Sequence, residues 1–162
     1  MPLPDIDTQF FDSLMVVKNK LITNPFIQDS SNVVIGESPD LAAYSESDFP
    51  RIEILPLLDG GQGYASQRHL THNYQFGLAG YIRRDQEEIK ERDVKNIVAM
   101  GEKSRSLIYS ILDDKQTGEV PAGLFDYIEG QVMLDFDFEL FADICVFLLA
   151  FRKVAQTKDT EI

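Results

Sequence analysis

From Val132 to Leu140, Val132, Leu134, Phe136, Phe138 and Leu140 alternate with Met133, Asp135, Asp137 and Glu139. Successive side chains of a strand point to opposite faces, so such a segment has one greasy side and one largely acidic side. An apolar run from Ile144 to Phe151 follows with no polar face, the pattern of a strand covered on both sides. Only Phe141, Ala142 and Asp143 separate the two, which reads as a hairpin. This pair commits the C-terminal part of the chain to a sheet with one acidic surface.

The remaining segments fall around that hairpin. Phe10, Leu14, Val17 and Leu21 lie at helical spacing, with Ile6 a turn earlier and Asp5 or Asp7 able to cap the start. Thr23-Asn24-Pro25 ends this helix, because proline cannot continue the ladder and restricts its predecessor. Asn32–Gly36 reads as a short strand or strand-like arm, and Glu37–Asp48 as polar, acidic loop. Phe49–Pro56 is a strand whose prolines place it at an edge or mark where its pairing stops. Asp59–Ser66 reads as a flexible glycine loop, and Tyr74–Ile82 as a second strand with a small side at Gly77 and Ala79. A long helix is predicted from Asp85 to about Asp113, with Ile97, Gly101, Ser104, Ile108 and Ile111 near one stripe, joined by Val94, Leu107 and Leu112. Its charged first turns favour the positive end of the helix. Asp113–Gly123 is a polar turn before the C-terminal hairpin.

The order α-β-β-α-β-β predicts an α+β fold: a mostly antiparallel four-stranded sheet with two helices packed on one face. With 162 residues, 44% of them hydrophobic, the chain reads as a single domain, 1–162, with an extended loop at about 27–48 and a frayed end at 155–162. A net charge of −12 repels nucleic acid and anionic membranes unless a basic patch intervenes. The basic clusters, Arg83-Arg84 and Lys103/Arg105, sit among carboxylates, which argues against sequence-specific DNA binding. No stretch reaches transmembrane length, and MPLPDIDTQF has neither the basic region nor the apolar core of a signal. The single cysteine, Cys145, lies in the apolar run and reads as a reduced, buried thiol of a cytosolic protein.

Asp135, Asp137 and Glu139 are about 7 Å apart in succession on one strand face. Such carboxylates serve either as ligands for Mg²⁺ or Ca²⁺ in a metal-dependent phosphoryl-transfer enzyme, or as a solvated or partner-facing surface. No second acidic cluster with a phosphate-clamping Lys or Arg accompanies them, which favours the surface. His69 and His72 lack nearby cysteine or carboxylate partners for zinc and read as a loop leading into the strand. Gly60-Gly61-Gln62-Gly63 lacks the strand–turn–helix context of a phosphate-binding loop, and Ser104, Ser106 and Ser110 have no histidine base in view. The expectation is no catalysis and no cofactor or metal. A small regulatory domain of ferredoxin-like type, binding a metabolite between protomers, is a further class.

Several segments recur in a recognisable order. Phe49-Pro50-Arg51-Ile52-Glu53-Ile54 forms the first firm strand, and His72-Asn73-Tyr74-Gln75-Phe76-Gly77-Leu78 opens the second. The long helix ends in Ser106-Leu107-Ile108-Tyr109-Ser110-Ile111-Leu112, and an aromatic hairpin completes the chain. Over about Asp5 to Ala155 this resembles the tail terminator (tail completion) proteins of long-tailed bacteriophages. The resemblance implies a non-catalytic virion protein, assembled in the host cytoplasm, that forms a homo-oligomeric ring, generally six-fold. That ring would cap the tail tube protein, end tube growth and receive the head-completion or connector protein. DNA would pass through without sequence-specific binding, and no membrane is involved. Another head–tail connector or neck subunit is a related reading. Interface or lumen candidates are Asp135, Asp137, Glu139, Tyr64, Arg83 and Arg84. The long 27–48 segment and the acidic balance depart from the smaller members of that family.

Overall fold

Leu14, Val17 and Leu21 recur at helical spacing and bury one stripe of the first helix, α1 (Gln9–Leu21). The structure, a computed structural model, describes residues 3–4, 9–36, 45–66, 69–84, 88–117, 127–141 and 144–158, with side chains described at 3–4, 11–36, 45–56, 76–84 and 88–111. The predicted caps Asp5 and Asp7 lie outside the described residues. At its other end α1 closes as expected: the Ile22 N–H donates to the Lys18 carbonyl and the Thr23 N–H to that of Lys20, just before Pro25.

Val33–Ile35 forms β1, within the Asn32–Gly36 stretch read as a short strand or strand-like arm. It runs parallel to β2 (Arg51–Ser66), with Val33 opposite Ile52 and Ile35 opposite Ile54. Gly36 ends β1 at φ +127°, a conformation open to glycine, and its N–H donates to the Ile54 carbonyl at 2.9 Å. Asn32 is buried, and its Nδ2 donates to the Ser47 carbonyl at 3.0 Å, tying the chain before β1 to the short turn before β2.

β2 is longer than predicted, and so is its antiparallel partner β3 (His69–Arg83). The glycine-rich residues 59–66 are not a loop: Gln62 pairs with His72, Gly63 with Thr71 and Tyr64 with Leu70. The pairing absorbs the glycines through three register shifts, at Pro56/Leu58, Asp59/Gln62 and Tyr64/Ser66. Each shift places one extra residue on β2, the signature of a bulge. β2 is also not an edge where β1 covers it. Pro50 instead precedes the strand, and Pro56 stands beyond the β1 pairing, where a missing N–H breaks no ladder on that side.

The second helix, α2 (Glu91–Thr117), begins later than the predicted Asp85 and spans about 40 Å at 1.5 Å per residue. Residues 88–90 are not helical, and Asp93 marks the true start by accepting the Lys90 N–H at 2.9 Å. Ile97, Ser104, Ile108 and Ile111 are fully buried as the stripe predicts, whereas Val94 stands partly exposed near the start.

β4 (Tyr127–Phe141) and β5 (Ile144–Lys158) form the C-terminal hairpin. β5 runs well past Phe151, so residues 155–158, expected to be frayed, are paired with β3. The sheet order is β1-β2-β3-β5-β4. The α+β class therefore stands, but the expected four-stranded antiparallel sheet does not. β1 joins in parallel, so the β1-β2-β3 part is mixed, and among the described residues the sheet has five strands. Both helices contact the sheet and each other. One core unites Leu14, Val17 and Leu21 of α1, Ile52 and Ile54 of β2, Phe76 and Leu78 of β3, and the buried stripe of α2. Full burial of a side chain of this kind contributes about 1.5–3 kcal/mol relative to exposure.

Candidate functional site

Alternation along β2 and β3 sorts the residues into two faces. Ile52, Ile54, Phe76 and Leu78 enter the helix-side core. The intervening Ala79 and Tyr81 form a separate buried pair, with Phe49 and Leu55 packed against it, on the face away from the helices. Glu53 shares that face and is 0% exposed, with its Oε1 3.9 Å from Nε of Arg51. A carboxylate with this burial needs a nearby cation, and Arg51 supplies one on the same strand.

Backbone register carries these rows across the sheet. Glu53 pairs with Ala79, Ala79 with Leu148, and Leu148 with Asp135. Arg51 pairs with Tyr81, Tyr81 with Val146, and Val146 with Asp137. Residues in one row share a sheet face, so positions 135 and 137 lie on the side away from the helices, about 14 Å across the sheet from Glu53 and Arg51. The predicted three-carboxylate face is only partly regular. Between Asp137 and Phe141 the ladder advances four residues on β4 against two on β5, and Glu139 falls inside that irregularity.

The other predicted site residues are spread out. Arg83 is exposed at the last position of β3, opposite Ile144, and Arg84 beside it is buried. Tyr64 pairs with Leu70. Along β3 the Leu70 and Arg83 positions are roughly 43 Å apart at ~3.3 Å per residue, so Tyr64 and the arginines occupy opposite ends of the sheet. His69 and His72 lie within β3 and not in a loop before it; three residues apart in a strand, they occupy opposite faces.

Among the described residues the sheet has two dissimilar open edges. There β4, 15 residues or about 50 Å long, pairs with β5 alone. At the other end β1 covers Ile52–Ile54, and among the described residues no strand flanks β2 on that side from Leu55 to Ser66. Unpaired backbone of this kind is a template for further strands. An open cleft of about 620 Å³, lined by Lys90, Glu91, Arg92 and Lys95, adds a basic spot at the start of α2.

Sequence reasoning missed the polar lock between the helices. Asn24 is buried; its Nδ2 donates to Oγ of Ser104 at 2.9 Å and to the Met100 carbonyl at 3.4 Å, and its Oδ1 accepts the Phe26 N–H at 3.0 Å. The Ser104 hydroxyl donates onward to the Met100 carbonyl at 2.8 Å. Ser104 thus has a structural role. The Ser110 hydroxyl donates to the Leu107 carbonyl at 2.6 Å. Asp29 accepts from the Ser31 N–H at 3.0 Å and from its hydroxyl at 2.8 Å, and these bonds, the backbone one first, hold its carboxyl below the ordinary aspartate range.

Among the described residues no three His, Cys, Asp or Glu side chains converge as metal ligands, and no helix is long and apolar enough to cross a membrane. No protein-family model matches the chain, and no curated protein sequence matches it either.

Proposed function

We propose that this chain is a ring-forming subunit of the tail terminator type, seated at the head-proximal end of a phage tail tube. The observation that carries the reading is the pair of unlike sheet edges, β4 on one side and the Leu55–Ser66 part of β2 on the other. A ring of identical subunits needs a heterologous contact, in which one surface meets a different surface of the next copy. Two unlike edges on one sheet meet that requirement, and main-chain pairing between them needs no special side chains. Further support comes from the motif order: the Phe49–Ile54 segment opens β2, the His72–Leu78 segment lies in β3, and Ser106–Leu112 lies in the latter part of α2. In this reading the ring is six-fold, ends tube growth, and presents a surface to the head-completion or connector protein. Its charge of −12 keeps passing DNA from sticking, because uncompensated phosphates are repelled by carboxylates.

The test is incubation of the purified protein with purified tail tubes, followed by electron microscopy. Density capping one tube end only is expected. Decoration along the tube wall, or bare tubes together with tight Mn²⁺ binding by a monomer, would overturn the reading. The second of these outcomes would favour a metal-dependent phosphoryl-transfer enzyme built on Asp135, Asp137 and Glu139.

A further inference from the structure

Arg84 directly follows β3 and is 2% exposed. Its Nε, Nη1 and Nη2 atoms are all buried, and among the described residues none of them has a hydrogen-bond partner. Arg83 beside it is exposed, so the burial belongs to this one position and not to the strand end as a whole. A guanidinium carries five N–H donors and stays charged at any pH a protein tolerates. Lysines and carboxyls can escape burial by giving up their charge; arginine cannot. A buried charge without a counter-charge is among the most costly arrangements a side chain adopts.

Strand parity indicates where the missing partner is not. Phe76 and Leu78 belong to the helix-side core and Ile82 packs against it; Arg84 follows at the same even spacing. The other buried polar residues of α1, α2 and their flanks, Ser13, Asn24, Asn32 and Ser104, carry no charge. Glu53, the buried carboxylate among the described residues, sits at an odd position of β2 beside Arg51, on the opposite face. Among the described residues, the buried helix side of the fold thus holds a cation with no buried anion.

We infer that Arg84 anchors an oxyanion site, in which its planar fork takes two oxygens of a carboxylate or phosphate group from outside the chain. Paired N–H donors match that geometry bidentately. The site lies at the end of β3, one residue past its last ladder position. Either a free phosphate or a carboxylate of a second copy has the right chemistry, and a chain of charge −12 is rich in the latter. The inference does not rest on the ring reading.

Thermal unfolding of the full chain and of Arg84→Met and Arg84→Lys, in oxyanion-free buffer and with inorganic phosphate added, tests it. Sodium chloride at matched ionic strength controls for screening. Without oxyanions, Arg84→Met should melt at or above the wild type, because it removes an uncompensated charge. If free phosphate is the occupant, it should raise the wild-type Tm by about 5–10 °C at a hundredfold excess over Kd, raise Arg84→Lys less, and leave Arg84→Met unmoved. If a second copy supplies the carboxylate, phosphate does nothing, but the wild-type Tm rises with protein concentration and sedimentation shows self-association weakened at least tenfold in Arg84→Met. Absence of both responses, or an Arg84→Met chain that melts lower or fails to fold in oxyanion-free buffer, would overturn the inference by placing the counter-charge within the chain.

Discussion

Replacing Asn24 with alanine deletes three hydrogen bonds at the joint between the end of α1 and the middle of α2. Two are short, from Nδ2 to Ser104 Oγ at 2.9 Å and from the Phe26 N–H to Oδ1 at 3.0 Å; the third, to the Met100 carbonyl at 3.4 Å, is marginal. Each good bond contributes roughly 0.5–1.5 kcal/mol net, and a buried donor left without an acceptor costs about 1–3 kcal/mol. Ser104 keeps its own bond to Met100, so the main orphan is the part-buried Phe26 N–H. The sum is about 2–3 kcal/mol, or roughly 4–12 °C in Tm for a domain of this size. Ser104→Ala should cost less, about 1–2 kcal/mol, because Asn24 retains Phe26 and the longer Met100 contact. Asn24→Asp should be at least as damaging as alanine, since it sets a carboxylate against the Met100 carbonyl. Urea unfolding of the two single variants and Asn24→Ala/Ser104→Ala completes a cycle, with an expected coupling of about 1 kcal/mol. An Asn24→Ala chain within 0.5 kcal/mol of wild type would refute the reasoning, because it would mean that water replaces these bonds without loss.

Three further outcomes follow from the same structure. Gly36→Ala should destabilise by about 1–3 kcal/mol in chemical denaturation although no atom lies within 4 Å of the added Cβ, because φ +127° strains any side-chain-bearing residue; a neutral substitution would show that the backbone relaxes. Asp29 has a folded pKa below its unfolded value of about 3.9, so its contribution is present above that value and lost as pH falls through the lowered one. The Tm gap between wild type and Asp29→Asn should therefore close in strong acid, and a gap constant with pH would contradict the assignment. On the proposed ring reading, charge reversal at Asp135 and Asp137 to lysine should slow genome passage or spoil tail attachment in a virion, and unchanged infectivity would count against an acidic lumen or tube-facing role for these positions.

The helices were legible because their buried stripes recur every three to four residues whatever the rest of the chain does. Ile97, Gly101, Ser104, Ile108 and Ile111 are all buried where that spacing puts them. The glycine segment of β2 was not legible, since Asp59-Gly60-Gly61-Gln62-Gly63 has almost no strand preference of its own. It is a strand because β3 pairs with it, a non-local cause that a local pattern does not carry. The same holds for the polar end of β5, aligned with His69–Tyr74 of β3. Among the candidate site residues, the acidic alternation of β4 survives in register at Asp135 and Asp137 and breaks before Phe141. Burial of Glu53 and Arg84 was invisible, because charge in a sequence reads as surface until packing on the far face is known.

The three single-residue insertions on β2 give the first hairpin two sides of unequal contour. Across the paired region one side carries three more residues than the other, an excess of roughly 10 Å. A ribbon built in this way cannot lie flat. It coils, and its twist deepens at every insertion. Trimming one inserted glycine, such as Gly61, would shorten the longer side by a single step and relax the curl. The bend expected of this strand pair is thus written in a residue count and not in any one contact.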